Sequence, residues 1–363
     1  MITKYADLLL AALFALFTGL FVPFSPSRLL ESINWNLLGI LFCLMTITAE
    51  IGKWSIPRAL CLYFFAGKTT VRKMARFFIF ACFFSSMVIT NDISLIIFVP
   101  FSISIFIEIR QRTLLIPLIT LETIAANMGS TLTPIGNPQN LFIYDFYHLS
   151  LPAFLSITAP VVLISGVLIY LAGCLFPKDR SPALPPVEMV VPKKKSLLLL
   201  FLLLLCILHV LRLIPLPLVM AAVVPAMILL DRGVFFHVDY KLLLLFALLF
   251  MAVGNLGRMD VISTLAREAL TGREFWVSLL LSQFISNVPA TVMLSSYTDN
   301  AAPLLLGVDI GGLGTLIASM ASLISFKAYA NIPAAGKKEY LTLFSLYNLV
   351  LLAVLILWYL AVY

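Results

Sequence analysis

Residues 129–140 read GSTLTPIGNPQN and lie between two apolar stretches, LLIPLITLETIAAN before them and LFIYDFYHL after them. Two glycines, two prolines and six polar side chains interrupt what otherwise reads as one hydrophobic helix. Proline lacks the N–H that a helix interior needs, and glycine is a poor helix former. A helix broken here exposes free C=O groups at the end of its first half and free N–H groups at the start of its second. The first kind of end favours a cation and the second an anion. Gly129, Pro134, Gly136 and Pro138 make the break, while Ser130, Thr131, Thr133, Asn137 and Asn140 bring oxygens and amides to it.

The rest of the chain says where this break sits. Its 363 residues are 62% hydrophobic and only 11% charged, with a mean hydropathy of +1.07. A soluble domain carries about 25% charged residues. Too little polar surface is available to face water, so the chain reads as an all-α integral membrane protein. The long apolar runs lack the period-two alternation of barrel strands. The first run, Leu8 to Phe24, ends in FSPS, a poor cleavage site, and reads as a retained span. The five cysteines, Cys43, Cys61, Cys82, Cys174 and Cys206, form no CxxC pair and read as small apolar residues.

Hydropathy predicts about nine transmembrane helices, near 6–24, 36–52, 113–146, 153–176, 197–214, 217–231, 240–256, 303–328 and 340–361. Two further apolar segments, 77–108 and 275–298, are interrupted by ITND at 89–92 and ISNVP at 285–289. Each reads as a re-entrant hairpin, which survives at membrane depth only where protein or a water-filled cavity surrounds it. With the N-terminus in the cytoplasm, only Arg28, Arg212, Arg258, Arg267 and Arg273 of the 24 lysines and arginines fall outside, and the C-terminus lies on the outer side. The net charge of +7 is then a topology signal. No nucleic-acid partner is expected. The location expected is the plasma or inner membrane of a prokaryote.

The halves resemble each other in order. LMTITAEIGKW (44–54) aligns with FMAVGNLGRMD (250–260), SSMVITND (85–92) with SQFISNVP (282–289), and NMGSTLTPIGNPQNL with DIGGLGTLIASMASL (309–323). Thr133 then pairs with Thr315 and Gly136 with Ala318. The organisation expected is a first repeat over 1–176 (scaffold 1–76, transport part 77–176) and a proline- and charge-rich cytoplasmic linker over 177–196. The second repeat follows over 197–363. It holds an extra span (197–214), scaffold helices (217–273) and a transport part (274–363). The extra span inverts the second repeat in the membrane, and such inverted-topology repeats with broken helices belong to secondary transporters.

These residues resemble the ion transporter superfamily, which includes divalent anion–sodium symporters, citrate–metal transporters and arsenite permeases. TPIGNPQN, SNVPA and ITND at their intervals carry the resemblance, which covers nearly the whole chain. It implies a scaffold domain and a mobile transport domain linked by amphipathic surface helices, here 55–76 and 258–273. It implies one cation site from Ser86, Thr90, Asn91 and the backbone of Gly136. A symmetric site would use Ser282, Ser286, Asn287 and the backbone of Ala318. Such oxygen ligands suit Na⁺. A small anionic substrate would lie between the tips, near Asn91, Asn287, Asn137 and Ser319, with Asp92, Thr133, Asn140 and Thr315 around it. No cofactor is implied beyond Na⁺ or H⁺ as the coupling ion. The partners implied are the anion, that cation and the lipid bilayer, with a homodimer as the assembly.

Two departures matter. Dicarboxylate members carry Ser-Asn-Thr at both tips; here the tips read Thr90-Asn91-Asp92 and Ser286-Asn287-Val288, closer to the citrate–metal and arsenite branches. The second broken helix has Leu316 and Met320 where the first has prolines, which weakens the second site. Acids at membrane depth are costly and usually functional, so Asp92 and Glu122 are the coupling candidates. The function expected is secondary active transport of a small carboxylate, citrate-like anion or oxyanion, coupled to Na⁺ or H⁺. The alternatives are a cation–proton antiporter of the same fold or a metalloid anion exporter. An enzyme is not expected: His148, His209 and His237 are scattered, and neither HExxH nor GxSxG occurs.

Overall fold

The computed structural model describes residues 6–23, 25–53, 69–181 and 193–363. Among the described residues the protein is all-α apart from one antiparallel pair of two-residue strands, β1 (Thr69–Thr70) and β2 (Arg180–Ser181). The first helices are α1 (Ala6–Gly19), α2 (Pro26–Glu31), α3 (Trp35–Gly52), α4 (Val71–Ile89), α5 (Asn91–Glu108), α6 (Leu115–Ser130), α7 (Pro138–Phe146) and α8 (Leu151–Gly173). There follow α9 (Lys193–Val210), α10 (Leu216–Leu230), α11 (Tyr240–Leu256), α12 (Asp260–Leu270), α13 (Glu274–Ile285), α14 (Asn287–Ser295), α15 (Ala301–Ile310), α16 (Met320–Ala330) and α17 (Lys337–Val362).

Five described segments are long and apolar enough to cross a bilayer: Trp35–Gly52, Asn91–Glu108, Arg112–Ser130, Leu151–Gly173 and Lys337–Val362. The expected count of nine is not reached by length alone. Three of the expected spans form helices of only 14, 15 and 17 residues, α1, α10 and α11, and two are interrupted. The stretch 113–146 is α6 and α7, parted at 131–137, and 303–328 is α15 and α16, parted at 311–319. A nine-residue half such as α7 rises only about 14 Å, against about 30 Å of hydrocarbon. Leu163, Leu175 and Leu357 are 70%, 79% and 66% exposed, a surface suited to lipid.

Both interrupted hairpins form. In each, two helices pack together and turn back at a single residue, Thr90 between α4 and α5 and Ser286 between α13 and α14. The arms differ in length. Those of the first hairpin have 19 and 18 residues, and those of the second 12 and 9. The first arm is longer than expected because α4 starts at Val71. The Thr70 hydroxyl caps it by accepting from Lys73 N at 3.3 Å, and Val71, Met74 and Ala75 extend the buried stripe of Phe78, Ile79 and Cys82.

This corrects the surface helix expected over 55–76. Its last six residues belong to α4, and 54–68, with Cys61, lie outside the described residues. The second expected surface helix, 258–273, appears as α12, bent by 107° from α11. Val261 and Leu265 on α12 are 73% and 60% exposed, as on a helix lying at the interface. The linker expected over 177–196 is docked at both described edges. Val71 N and Arg72 N donate to Asp179 O and Pro177 O, and 193–196 form the start of α9. Residues 182–192 lie outside the described part.

The buried apolar residues form two clusters. One gathers α4, α5, α6, α8 and α17 with parts of α13, α15 and α16. The other gathers α1, α3, α9, α10 and α11 with α7, α14 and part of α15. The broken helices therefore bridge the two cores. Polar ties join the second cluster: Asn34 Nδ2 donates to Asp145 Oδ2 at 2.8 Å, and Lys53 Nζ meets Asp231 Oδ2 at 2.6 Å. That ammonium, with Gly233 N–H, holds the Asp231 carboxyl below its usual range.

A first prediction concerns the hairpin. Lys73 and Arg110 are exposed and stand at the outer ends of the two arms. Cysteines placed there should both react with an impermeant thiol reagent from the cytoplasmic face. Labelling from opposite faces would make α4 and α5 two crossings and remove the re-entrant reading.

Candidate functional site

The hairpin tips are built from backbone strain. Thr90 has φ 69° and ψ 152°, and Ser286 has φ 75° and ψ 152°. This region is nearly reserved for glycine, and a side chain there costs about 1–3 kcal/mol. The surroundings hold both tips in place. Asn91 N donates to Gly136 O at 3.1 Å, and Asn287 N donates to Ala318 O at 3.0 Å. Thr133 Oγ1 donates to Met87 O at 2.5 Å, and Thr315 Oγ1 donates to Gln283 O at 3.0 Å. Gly136 N and Ala318 N bond to Thr133 O and Thr315 O, both at 3.2 Å. Each hairpin is thus stitched to one break by the same two bonds, and each break is closed on itself by the same third, at the residues the sequence pairs.

Each break has its own cause. In the first, the Asn137 carboxamide caps α7 by accepting from Asn140 N at 2.9 Å, and Pro138 follows at the first position. Asn137 Nδ2 donates to Ser130 Oγ at 3.2 Å, and Asn140 Nδ2 donates to Thr131 O at 3.2 Å and Ser130 O at 3.5 Å, so two orphan carbonyls at the end of α6 are met. A Cβ on Gly136 would run into Ser130 O. The second break needs no proline. Gly314 takes φ 110°, and Gln283 Nε2 donates to Gly311 O at 2.7 Å and Leu313 O at 3.0 Å.

A cavity of about 600 Å³ lies against the first tip. Thr90, Asn91, Asp92 and Asn137 line it, with Leu41, Leu44 and Met45 of α3 opposite. Three helix N-termini border it, those of α5 at Asn91, α7 at Pro138 and α16 at Met320. Its polar lining also holds the exposed His237 and Lys327, with Asp239 and Lys241. Asp239 is close enough to act electrostatically on Asp92.

The other expected residues lie around this cavity or apart from it. Ser86 and Ser282 are fully buried, and their hydroxyls donate to Phe83 O and Ser278 O within their own helices. Ser286, Asn287 and Ala318 are buried at the second tip, and Thr315 is exposed; none of these four lines the cavity. Ser319 joins the halves: its hydroxyl donates to Asn127 Oδ1 at 3.1 Å, the same oxygen that accepts from Asn91 Nδ2 at 3.1 Å. Glu122 is away from the cavity and fully buried, accepting from Ser102 Oγ at 2.9 Å. Asn127, Gln139, Gln283 and Asp309 are polar positions tied into the two breaks that sequence reasoning did not single out.

A family model described as "Citrate transporter" matches residues 1–324. The chain is 35% identical over 315 residues to an uncharacterized transporter from Methanocaldococcus jannaschii, covering 84% of this chain and 83% of that protein. It is 32% identical over 319 residues to the inner membrane protein YbiR of Escherichia coli, covering 85% and 83%. Apolar helices around a polar, double-broken centre and these matches agree: the protein is an integral membrane transporter, and the chain belongs to the citrate transporter family, within the ion transporter superfamily that its motifs resemble.

Proposed function

We propose that the protein is a secondary active transporter that carries a small anion, citrate-like or another carboxylate or oxyanion, coupled to Na⁺ or H⁺. The observation that carries this reading is the cavity at the first tip, bordered by three helix N-termini and by Lys241, Lys327 and His237. Helix N-termini favour negative charge, and three converging on one space make an anion site. The family description adds citrate to the candidates. The cation would sit behind the tip, on Thr90, Asn91 and Gly136 O, with a second on Ser286, Asn287 and Ala318 O. Both C=O groups already hold the tip asparagine N–H, so a cation would share them.

The matched angles and bonds of the two tips support an internal repeat, which on this reading is inverted, with nine crossings, a cytoplasmic N-terminus and an outer C-terminus. In that orientation Lys241 and Lys327 stand on the cytoplasmic side, and the cavity opens inward. A thermal-shift screen of purified protein against citrate, dicarboxylates, sulfate, phosphate and arsenite, with and without Na⁺, tests the reading. A ligand that binds only the folded state raises the melting point. Stabilisation by one anion class, greater with Na⁺ or at acid pH, is expected; no response to any anion would sink it.

Asp92 and Asp239, together at the cavity, favour a second reading, cation–proton antiport. Proton release on adding Na⁺ with no anion present would select it. Under the first reading, Asp92 repels the anion until a cation arrives, and this ordering couples the fluxes. Asp92→Asn keeps the shape and removes the charge. Uptake by the variant should depend less on Na⁺ and vary less with pH. An active Asp92→Asn protein with unchanged Na⁺ and pH dependence would remove Asp92 from coupling.

A further inference from the structure

Asp309 is the next-to-last residue of α15 and is 3% exposed. Its Oδ1 accepts one long hydrogen bond, 3.4 Å from Gln139 Nε2, and the amides of Asn137 and Asn140 adjoin the carboxyl. Its Oδ2 has no donor, and neither has Oδ1 of the adjoining, fully buried Asn140. The Asn140 amide cannot simply turn over, because its Nδ2 already donates to Thr131 O and Ser130 O at the end of α6.

Around α15 pack α6, α7, α8, α13 and α14. Their titratable groups are Glu122, Tyr144, Asp145, Tyr170 and Glu274, and none of them acts on Asp309. Glu274 is engaged elsewhere, accepting from Thr298 and Asn300 at 3.0 Å. Among the described residues Asp309 thus meets three amides and no counter-charge.

An ionised carboxylate buried without a partner costs several kcal/mol, and the C-terminal end of a helix adds to that cost. The position also has a neutral counterpart. In the pairing of the breaks, Asp309 corresponds to Asn127 and Asn137 to Ser319. Ser319 donates across to Asn127, and the Asn137 amide approaches Asp309 in the mirrored way. The same crossing is built twice, once neutral and once with a carboxyl group. Packing alone is served by the amide, so the acid calls for a charge of its own.

We propose that Asp309, with the donor-free oxygen of Asn140 beside it, binds the monovalent coupling cation, Na⁺ or H⁺, between the two broken helices. The proposal rests on the coupled-transport reading and adds a site distinct from the tips. Oxygen ligands in this setting suit a hard cation or a proton.

The test needs no anion. Thermal stability of the purified full chain is measured in two arms, an NaCl titration against choline chloride at fixed alkaline pH, and a pH series in choline chloride alone. Asp309→Asn should weaken the stabilising response by about tenfold or more in one arm, which identifies the cation. If the wild type responds in either arm and folded Asp309→Asn responds identically, this inference fails and coupled transport stands. If the wild type responds in neither arm, the coupled reading fails, and the inference with it. Gln139→Ala decides if Asp309→Asn does not fold. It keeps the carboxyl, removes its one hydrogen-bond donor, and should shift the response toward lower cation concentration or higher pH. A Gln139→Ala response equal to wild type would then overturn the proposal.

Discussion

Gly129→Ala is expected to yield no stable protein, although it adds only one methyl group at the end of a helix. A Cβ at 129 would enter the carbonyl of Phe83 and lie 2.6 Å from Ser86 Oγ. The obstacle is the backbone of α4, which cannot rotate away as a side chain can. Overpacking a core usually costs about 1–3 kcal/mol, and a backbone obstacle puts this variant at or above the top of that range. At Gly129 α6 lies against the backbone of α4, so separating them also strains the bond from Thr133 to Met87 O. Gly52→Ala is the control. Its Cβ meets nothing nearer than Ile97 Cδ1 at 3.8 Å, and alanine is the better helix former. Melting temperature and the monodisperse fraction in detergent separate the two. Gly129→Ala at the wild-type melting temperature would mean that α4 and α6 do not pack this closely.

Asn91→Ala is expected to remain folded and to lose transport by about a hundredfold or more, roughly 3 kcal/mol of barrier. Its backbone N–H, bonded to Gly136 O, survives the change, so the tip keeps its shape. The side chain does three things. Its Oδ1 accepts from Asp92 N at 2.9 Å, its Nδ2 donates to Asn127 Oδ1 at 3.1 Å, and it lines the cavity. Losing those bonds costs about 1–3 kcal/mol of stability, because Asn127 Oδ1 still accepts from Ser319. Initial uptake rates in vesicles, paired with melting curves, check this. An Asn91→Ala protein that is stable and transports at the wild-type rate would remove the tip from the mechanism.

Much of this arrangement was legible in the chain. The breaks at 129–140 and 311–319 announce themselves through glycine, proline and polar residues inside apolar runs. The tips did so through Asn91 and Asn287, and the pairing of Thr133 with Thr315 and Gly136 with Ala318 reappears as matched bonds. Hydropathy could not place the start of α4, because a charged turn with Arg72 and Lys73 masks a buried stripe beneath it. Nor could it weigh the missing prolines of the second break, where Gln283 replaces their effect with three bonds of its own. Gln283 is polar in an apolar helix, and that was its signal. Asp309 stood opposite Asn127 in the aligned repeats, but sequence shows neither its burial nor the absence of a counter-charge. The cavity's one-sidedness was beyond reach, since two tips alike in local geometry differ in what the distant helices α3 and α11 set against them.

Gradient-driven uptake of labelled citrate, or of the anion that most stabilises the protein, tests the central claim most directly. Reconstituted vesicles are given an inward Na⁺ gradient, an inward H⁺ gradient, or neither. The account predicts accumulation above the external concentration under one of the two gradients, collapse when an ionophore dissipates it, and slow equilibration with neither. Equal uptake under all three conditions would describe a passive path and contradict coupled transport.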